Sequence, residues 1–145
     1  MRQKYFFLAL LILITSCNEH KDKNELKKQI LTTEKSFEKM VADKGIAFAF
    51  YYYADEQAVI KRENDSLVKG NNNIKNYYSK MTNKNISLKW TPDFIDVSDC
   101  GTLGYTYGKY IFKVTKKNGD TVEYKGIFHT VWKRQKDNCW KYVWD

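Results

Sequence analysis

The apolar positions of this chain keep a helical period in the first half and a strand period in the second. Over residues 25–44, Leu26, Ile30, Phe37, Met40 and Val41 recur at three- and four-residue intervals or their sums, the spacing of one helix face. Thr32 and Thr33 with Glu34 and Glu38 resemble a local start signal, so the helix could begin later than Glu25. Gly45 after Lys44 suits a helix stop with a cation in the last turn. Residues 46–53 are short and apolar with spaced alanines, which predicts a second helix; a buried strand is the competing reading. Tyr51, Tyr52 and Tyr53 cannot share one helix face, so at least one must reach a cavity or the surface. A turn over 54–56, a strand over 58–62, a turn over 63–66 and a strand over 67–69 follow, ended by Gly70. Residues 71–81 predict a third helix, with an Asn cap and an apolar face of Ile74, Tyr77, Tyr78 and Met81.

From residue 86 the pattern is that of a meander. Strand 86–97 carries Trp90 and Phe94 on one face, and its Pro92 marks an edge or a bulge. The turn 99–101 leads to strand 103–114. There Tyr105, Tyr107, Lys109 and Ile111 alternate with Thr106, Gly108, Tyr110, Phe112 and Val114. Neither face is cleanly polar, which predicts a central strand covered on both sides. Gly104 and Gly108 leave gaps of the kind seen at bends or close packing. Asn118-Gly119 is a strong hairpin signal. Strand 121–135, a turn over 136–138 and strand 139–144 complete a four-strand antiparallel run. The element order predicts an α+β fold with helices gathered against one face of a curved sheet.

The first residues form a different unit. Arg2 and Lys4 precede an apolar run over 5–14, too short to span a bilayer and typical of a signal peptide. Ile14-Thr15-Ser16-Cys17 resembles the bacterial lipobox. The resemblance implies removal of residues 1–16 and a diacylglyceryl group on Cys17, hence a bacterial envelope protein anchored to a membrane and facing the periplasm or cell surface. Residues 17–25 then form the lipidated cysteine and a polar tether that includes His20, and residues 26–145 form one domain.

Composition narrows the picture modestly. Aromatic residues make up 16% of the chain, enough for a core and for a lined cavity. The single proline excludes a proline-rich linker. The formal net charge is +8, of which Arg2 and Lys4 belong to the signal segment. The excess reads as a solvated basic surface, or more sharply as attraction to anionic headgroups. The basic residues are interspersed with acids and no nucleic-acid-reading motif occurs, which argues against a nucleic-acid partner.

The order of elements, with Lys44-Gly45-Ile46, Gly70, Trp90-Thr91-Pro92-Asp93, Val131-Trp132-Lys133 and Trp140-Lys141, resembles the SnoaL-like/DUF4440 branch of the NTF2-like superfamily. The stretch from Val97 to Gly108 is the most specific part. The resemblance implies a cone, a strongly bent antiparallel sheet wrapped around N-terminal helices with a pocket at the open end. It also implies a homodimer formed through the sheet. Such domains include ketosteroid isomerase-like enzymes, cyclases and dehydratases, and many binding domains without catalysis.

A ketosteroid isomerase-like reaction needs a carboxylate base and a hydroxyl or protonated acid in an apolar pocket. Asp93, Asp96 and Asp145 are the sheet acids, and Tyr105, Tyr107, Tyr110 and Tyr124 the hydroxyl donors. Asp96 shares its predicted face with Trp90 and Phe94, which makes it the best candidate for a buried carboxylate. His129, mid-strand, is a candidate general base. The catalytic candidates are thus Asp96, Tyr107 and His129. The candidate ligand-lining residues are Tyr53, Trp90, Tyr105, Tyr107, Tyr110, Phe128, Trp132 and Trp144. The only other histidine is His20, so no metal site is expected, and no cofactor is expected. Cys100 and Cys139 fall in turns at one end of the sheet, and the sequence leaves open whether they are bridged. The leading expectation is a binding module for a small apolar or amphipathic molecule or an envelope partner. A SnoaL-type isomerase, cyclase or hydrolase is the alternative.

Overall fold

The computed structural model describes residues 22–81 and 85–145; Cys17, the lipobox and His20 lie outside them. The first helix, α1, spans Lys23–Lys44. It starts inside the expected tether because Asp22 caps it, its Oδ1 accepting the Asn24 N–H at 2.8 Å. Thr33 lies mid-helix, its hydroxyl donating to the Gln29 carbonyl at 2.9 Å, so the threonine pair is no start signal. Gly45, at φ 85°, stops the helix and returns its N–H to the Val41 carbonyl. Residues Ile46–Tyr53 form a helix, α2, and not a strand. Of its three tyrosines, Tyr53 is buried and Tyr52 exposed.

Strand β1 (Ala54–Arg62) begins where a turn was expected, because Ala54 pairs with Tyr142. A single 3-10 turn, Glu63–Asp65, leads to β2 (Ser66–Lys69) and α3 (Asn71–Ser79). The meander is β3 (Ile86–Val97), β4 (Leu103–Thr115), β5 (Thr121–Arg134) and β6 (Trp140–Trp144). The six strands form one sheet in the order β2-β1-β6-β5-β4-β3. All neighbours are antiparallel except β1 and β6, which run parallel. The sheet is therefore mixed and not wholly antiparallel as expected. The whole meander separates β1 from β6, so no hairpin dictates their direction.

Helix α1 crosses the inner face of the sheet. Its buried side chains are Leu26, Ile30, Glu34, Phe37 and Val41. Phe37 is the hub of the aromatic core, with ring centroids 4.8 Å from Phe50, 4.8 Å from Tyr53 and 5.0 Å from Trp90. The strand glycines admit close neighbours. A Cβ at Gly104 would stand 2.4 Å from Ile30 Cδ1, and one at Gly108 would stand 2.1 Å from the Thr91 carbonyl oxygen. The latter contact accompanies the register shift between Pro92 and Phe94 on edge strand β3.

Strand β4 is covered on one face only. Gly104 and Thr106 are buried beneath α1 and Gly108 is buried against the β3 backbone, whereas Tyr105, Tyr107 and Ile111 are exposed on the other side. The helices all pack on the inner face, so the outer face of β3–β5, where Tyr105, Tyr107, Ile111 and Ile127 mix with Lys109, Lys113, Glu123, Lys125 and His129, is open in the single chain.

Candidate functional site

The three catalytic candidates lie on the open outer face. The bulge at Pro92–Phe94 reverses the alternation of β3. Trp90 therefore points inward, while Phe94 and Asp96 pair with the outer residues Tyr107 and Tyr105. Trp90 and Phe94 do not share a face, and Asp96 is not a buried carboxylate. Asp96 is half-exposed and ion-paired with Lys27 at 2.9 Å. The hydrogen bond from Lys27 holds its carboxyl below the ordinary range. Tyr107 stacks on Phe94 at 5.2 Å and pairs in register with His129. His129 is exposed, 6.1 Å from the Tyr105 ring. These residues form a solvent-facing aromatic row.

The buried carboxylate is Glu34, only 2% exposed in the apolar stripe of α1. Thr106 Oγ1 donates to its Oε1 at 2.6 Å, and Trp132 Nε1 donates to the same oxygen at 3.1 Å. Trp90 Nε1 donates to Oε2 at 2.6 Å. Burial pushes the Glu34 carboxyl above the ordinary glutamate range, and the three donors oppose that rise. One turn on, Glu38 Oε2 accepts the Trp90 backbone N–H at 3.1 Å. The sequence signal for Glu34 is its position four residues after Ile30 and three before Phe37, an acid inside an apolar stripe.

A second, partly buried cluster joins β1, α3 and β5. Arg62 Nη2 is 2.7 Å from Asp145 Oδ1, and Arg62 Nε donates to the Tyr78 hydroxyl at 2.8 Å. Asp145 Oδ2 accepts from Thr130 Oγ1 at 3.1 Å. Burial raises the Tyr78 phenol above its ordinary range, and Arg62 opposes the rise. Both clusters are internally satisfied.

The open site is a groove of about 530 Å³ between the first half of α1 and the β5–β6 hairpin. Gln29, Thr33, Tyr53, Arg134, Trp140 and Lys141 line it. Trp140 Nε1 donates to Gln29 Oε1 at 3.4 Å across its floor. Lys141 Nζ donates to the Tyr52 carbonyl and sits 4.3 Å from the Tyr52 ring centroid. Burial lowers the pKa of that ammonium. Arg134 Nε and Nη1 are buried without a hydrogen-bond partner. Leaving a buried donor unpaired costs about 1–3 kcal/mol. A second depression of about 800 Å³ adjoins the groove and shares Tyr52, Asp137 and Lys141 with it.

Of the expected ligand-lining residues, Tyr53 reaches the groove. Trp132 is fully buried, and Trp90 packs inward against Phe37. Tyr105 and Tyr107 face outward. Tyr110 and Phe128 are half-buried on the inner face, and the Tyr110 ring lies over Gly126, where a Cβ would be 2.6 Å from it. Trp144 is half-buried between Val59 and Val131. Sequence reading missed Gln29, Arg134 and Lys141, because hydrophilic residues at helix and strand ends carry no signal until the ends meet. Cys100 and Cys139 are both free and exposed. Among the described residues, no three His, Cys, Asp or Glu side chains are placed to hold a metal.

No protein-family model matches the chain, and no curated protein matches it. Solved structures do. An NTF2-like superfamily protein from Salmonella enterica serovar Typhimurium matches with a TM-score of 0.69 at 19% identity, over 83% of this chain and 88% of that one. The fold is NTF2-like. A ketosteroid isomerase-like protein from Erwinia carotovora atroseptica shares the NTF2-like core with a TM-score of 0.67 at 9% identity, over 83% and 93% of the two chains. The association domain of CaMKII from C. elegans does so with a TM-score of 0.66 at 10% identity, over 84% and 94%. At these identities the likeness concerns the NTF2-like fold.

Proposed function

We propose that this NTF2-like domain is a lipid-anchored binding module of the SnoaL-like/DUF4440 kind, held at a bacterial membrane through Cys17. It takes a small amphipathic molecule in the groove between α1 and the β5–β6 hairpin and performs no chemistry on it. One observation carries the reading. The two oxygens of the buried Glu34 are engaged by Thr106, Trp90 and Trp132, so the interior acid is a structural tie, while the groove beside it offers aromatic walls and cations. A second copy of the chain covers the outer face of β3–β5. Phe94, Tyr105, Tyr107, Ile111 and Ile127 are exposed there, interspersed with Lys109, Lys113 and Lys125, a mixed face that a second copy would bury. The likeness to an association domain supports this part of the reading.

Native mass spectrometry of the full chain, expressed in a bacterium and released from its membranes in detergent, tests all three elements. The expected species is a dimer that lacks residues 1–16, carries a diacylglyceryl mass on Cys17, and retains a small molecule lost on denaturation. An unprocessed chain overturns the anchor, and a monomer overturns the dimer. A protein that never carries or takes up a small molecule overturns the binding role.

The enzymatic alternative, a SnoaL-type isomerase, cyclase or hydrolase, rests on Glu34 as a carboxylate buried against Trp90, Thr106 and Trp132. It requires turnover that Glu34→Gln abolishes in a folded protein.

A further inference from the structure

We infer that the groove between α1 and the β5–β6 hairpin is a carboxylate site, with Arg134 receiving the anion. This rests on the reading of the groove as the ligand site and adds the ligand's chemical class.

Arg134 ends β5 on the inner face, in register with Trp140. Its Nε and Nη1 are buried and unpartnered, so the guanidinium has to turn toward the groove it lines to meet an anion there. A guanidinium keeps its proton and can only donate, so nothing but an acceptor relieves it. A buried charge is tolerated when it is paired. The groove's own acids do not supply the pair. Asp137 accepts the Cys139 N–H at 3.0 Å through Oδ1, and among the described residues no ion pair joins it to Arg134. Glu25 is exposed in the first turn of α1, and among the described residues no ion pair joins it to Arg134. Lys28 and Lys141 stand on the same groove and add positive charge. Lys141 is fixed there by the Tyr52 carbonyl and ring.

The shape agrees with the charge. Tyr53 and Trp140 give the groove apolar walls, and about 530 Å³ is the size of a small-molecule site. An arginine fits a planar carboxylate better than a lysine does. The ligand is therefore a small carboxylic acid with an apolar or aromatic body, its carboxylate on Arg134 and its body against the aromatic walls.

The test titrates the full chain in detergent micelles with 3-phenylpropionate and, separately, with its neutral amide. Calorimetry and tryptophan fluorescence follow binding, and circular dichroism checks each variant's fold. The acid is expected to bind about tenfold more tightly than the amide, a difference of one charge-assisted contact. Arg134→Gln should bring the acid down close to the amide's affinity while weakening the amide far less. Lys28→Gln, on the exposed side of α1, should weaken the acid by about threefold, as for a solvated charge. If Arg134→Gln does not fold, the acid-to-amide ratio and Lys28→Gln decide. Equal binding of acid and amide, insensitive to the substitutions, overturns the carboxylate assignment and leaves the groove as a site for neutral molecules. Failure of both compounds to bind overturns the groove reading as well.

Discussion

Glu34 on α1 and Trp132 on β5, ninety-eight positions apart, meet in the interior with the indole Nε1–H donating to Oε1 over 3.1 Å. Trp90 on β3 and Thr106 on β4 donate to the same carboxylate. One side chain of the helix thus contacts three adjacent strands and fixes where α1 crosses the sheet.

Substituting Glu34 tests that tie and gives stability a pH signature. In Glu34→Gln the amide turns an N–H toward a Trp90 or Trp132 donor, a mismatch costing about 1–3 kcal/mol. Burial raises the folded-state pKa above the unfolded one. The folded state therefore binds the proton more tightly. The associated stability is full below the ordinary glutamate value and is lost as pH rises through the raised value. Carboxyls held low behave oppositely. Lys113 and Lys125 hold Glu123 at about 2, and its contribution is lost as pH falls through that value. Urea midpoints measured from pH 4 to pH 9 should fall with pH in the wild type more steeply than in Glu34→Gln. Parallel profiles would remove Glu34 as the cause.

Trp90→Phe keeps a ring beside Phe37 and removes the donor that stands 2.6 Å from Glu34 Oε2. The loss should be about 2 kcal/mol, as for a hydrogen bond to a charged group. Combined with Glu34→Gln it should be less than additive, since the two share one contact. Strict additivity in chemical denaturation would show that the indole acts through packing alone.

Ile127 is 77% exposed on the outer face. If the proposed dimer forms through this face, Ile127→Lys should give a monomer in sedimentation velocity while the far-ultraviolet spectrum stays the same. An unchanged sedimentation coefficient would place any interface elsewhere.

Cys100 is exposed, and its thiol is pushed down to about 7 by the hydroxyls of Ser98 and Thr102, the latter 2.9 Å from Sγ. Alkylation of the Cys100 peptide by iodoacetamide should reach half its plateau rate near pH 7. Thr102→Val should move that midpoint up toward the ordinary cysteine range. A midpoint already in that range in the wild type would refute the effect of the hydroxyls.

Elements that depend on local pattern were readable from the residues. The helix of the Leu26–Ile30–Phe37–Val41 stripe, the stop at Gly45, the Asn118-Gly119 turn and the four-strand meander all follow from short-range spacing, which reports a side chain's periodicity and the φ freedom of a turn. The gaps at Gly104 and Gly108 were readable too, although not that Ile30 and the Thr91 carbonyl fill them. A single bulge at Pro92–Phe94 undid the assignment of Asp96, because one extra residue moves every later side chain of β3 to the other face.

By itself, then, the sequence determined most of the elements, their order and the α+β class, since these follow from neighbours within a few residues, but not the start of β1, which Ala54 owes to its pairing with Tyr142. Tertiary structure decided which acid is buried, which face of the sheet is open, the parallel pairing of β1 with β6, and the meeting of Arg134 and Lys141 with the first half of α1. Those are relations between residues scores of positions apart. They exist only when the sheet curves around the helix and its burial and charge pairing are settled together.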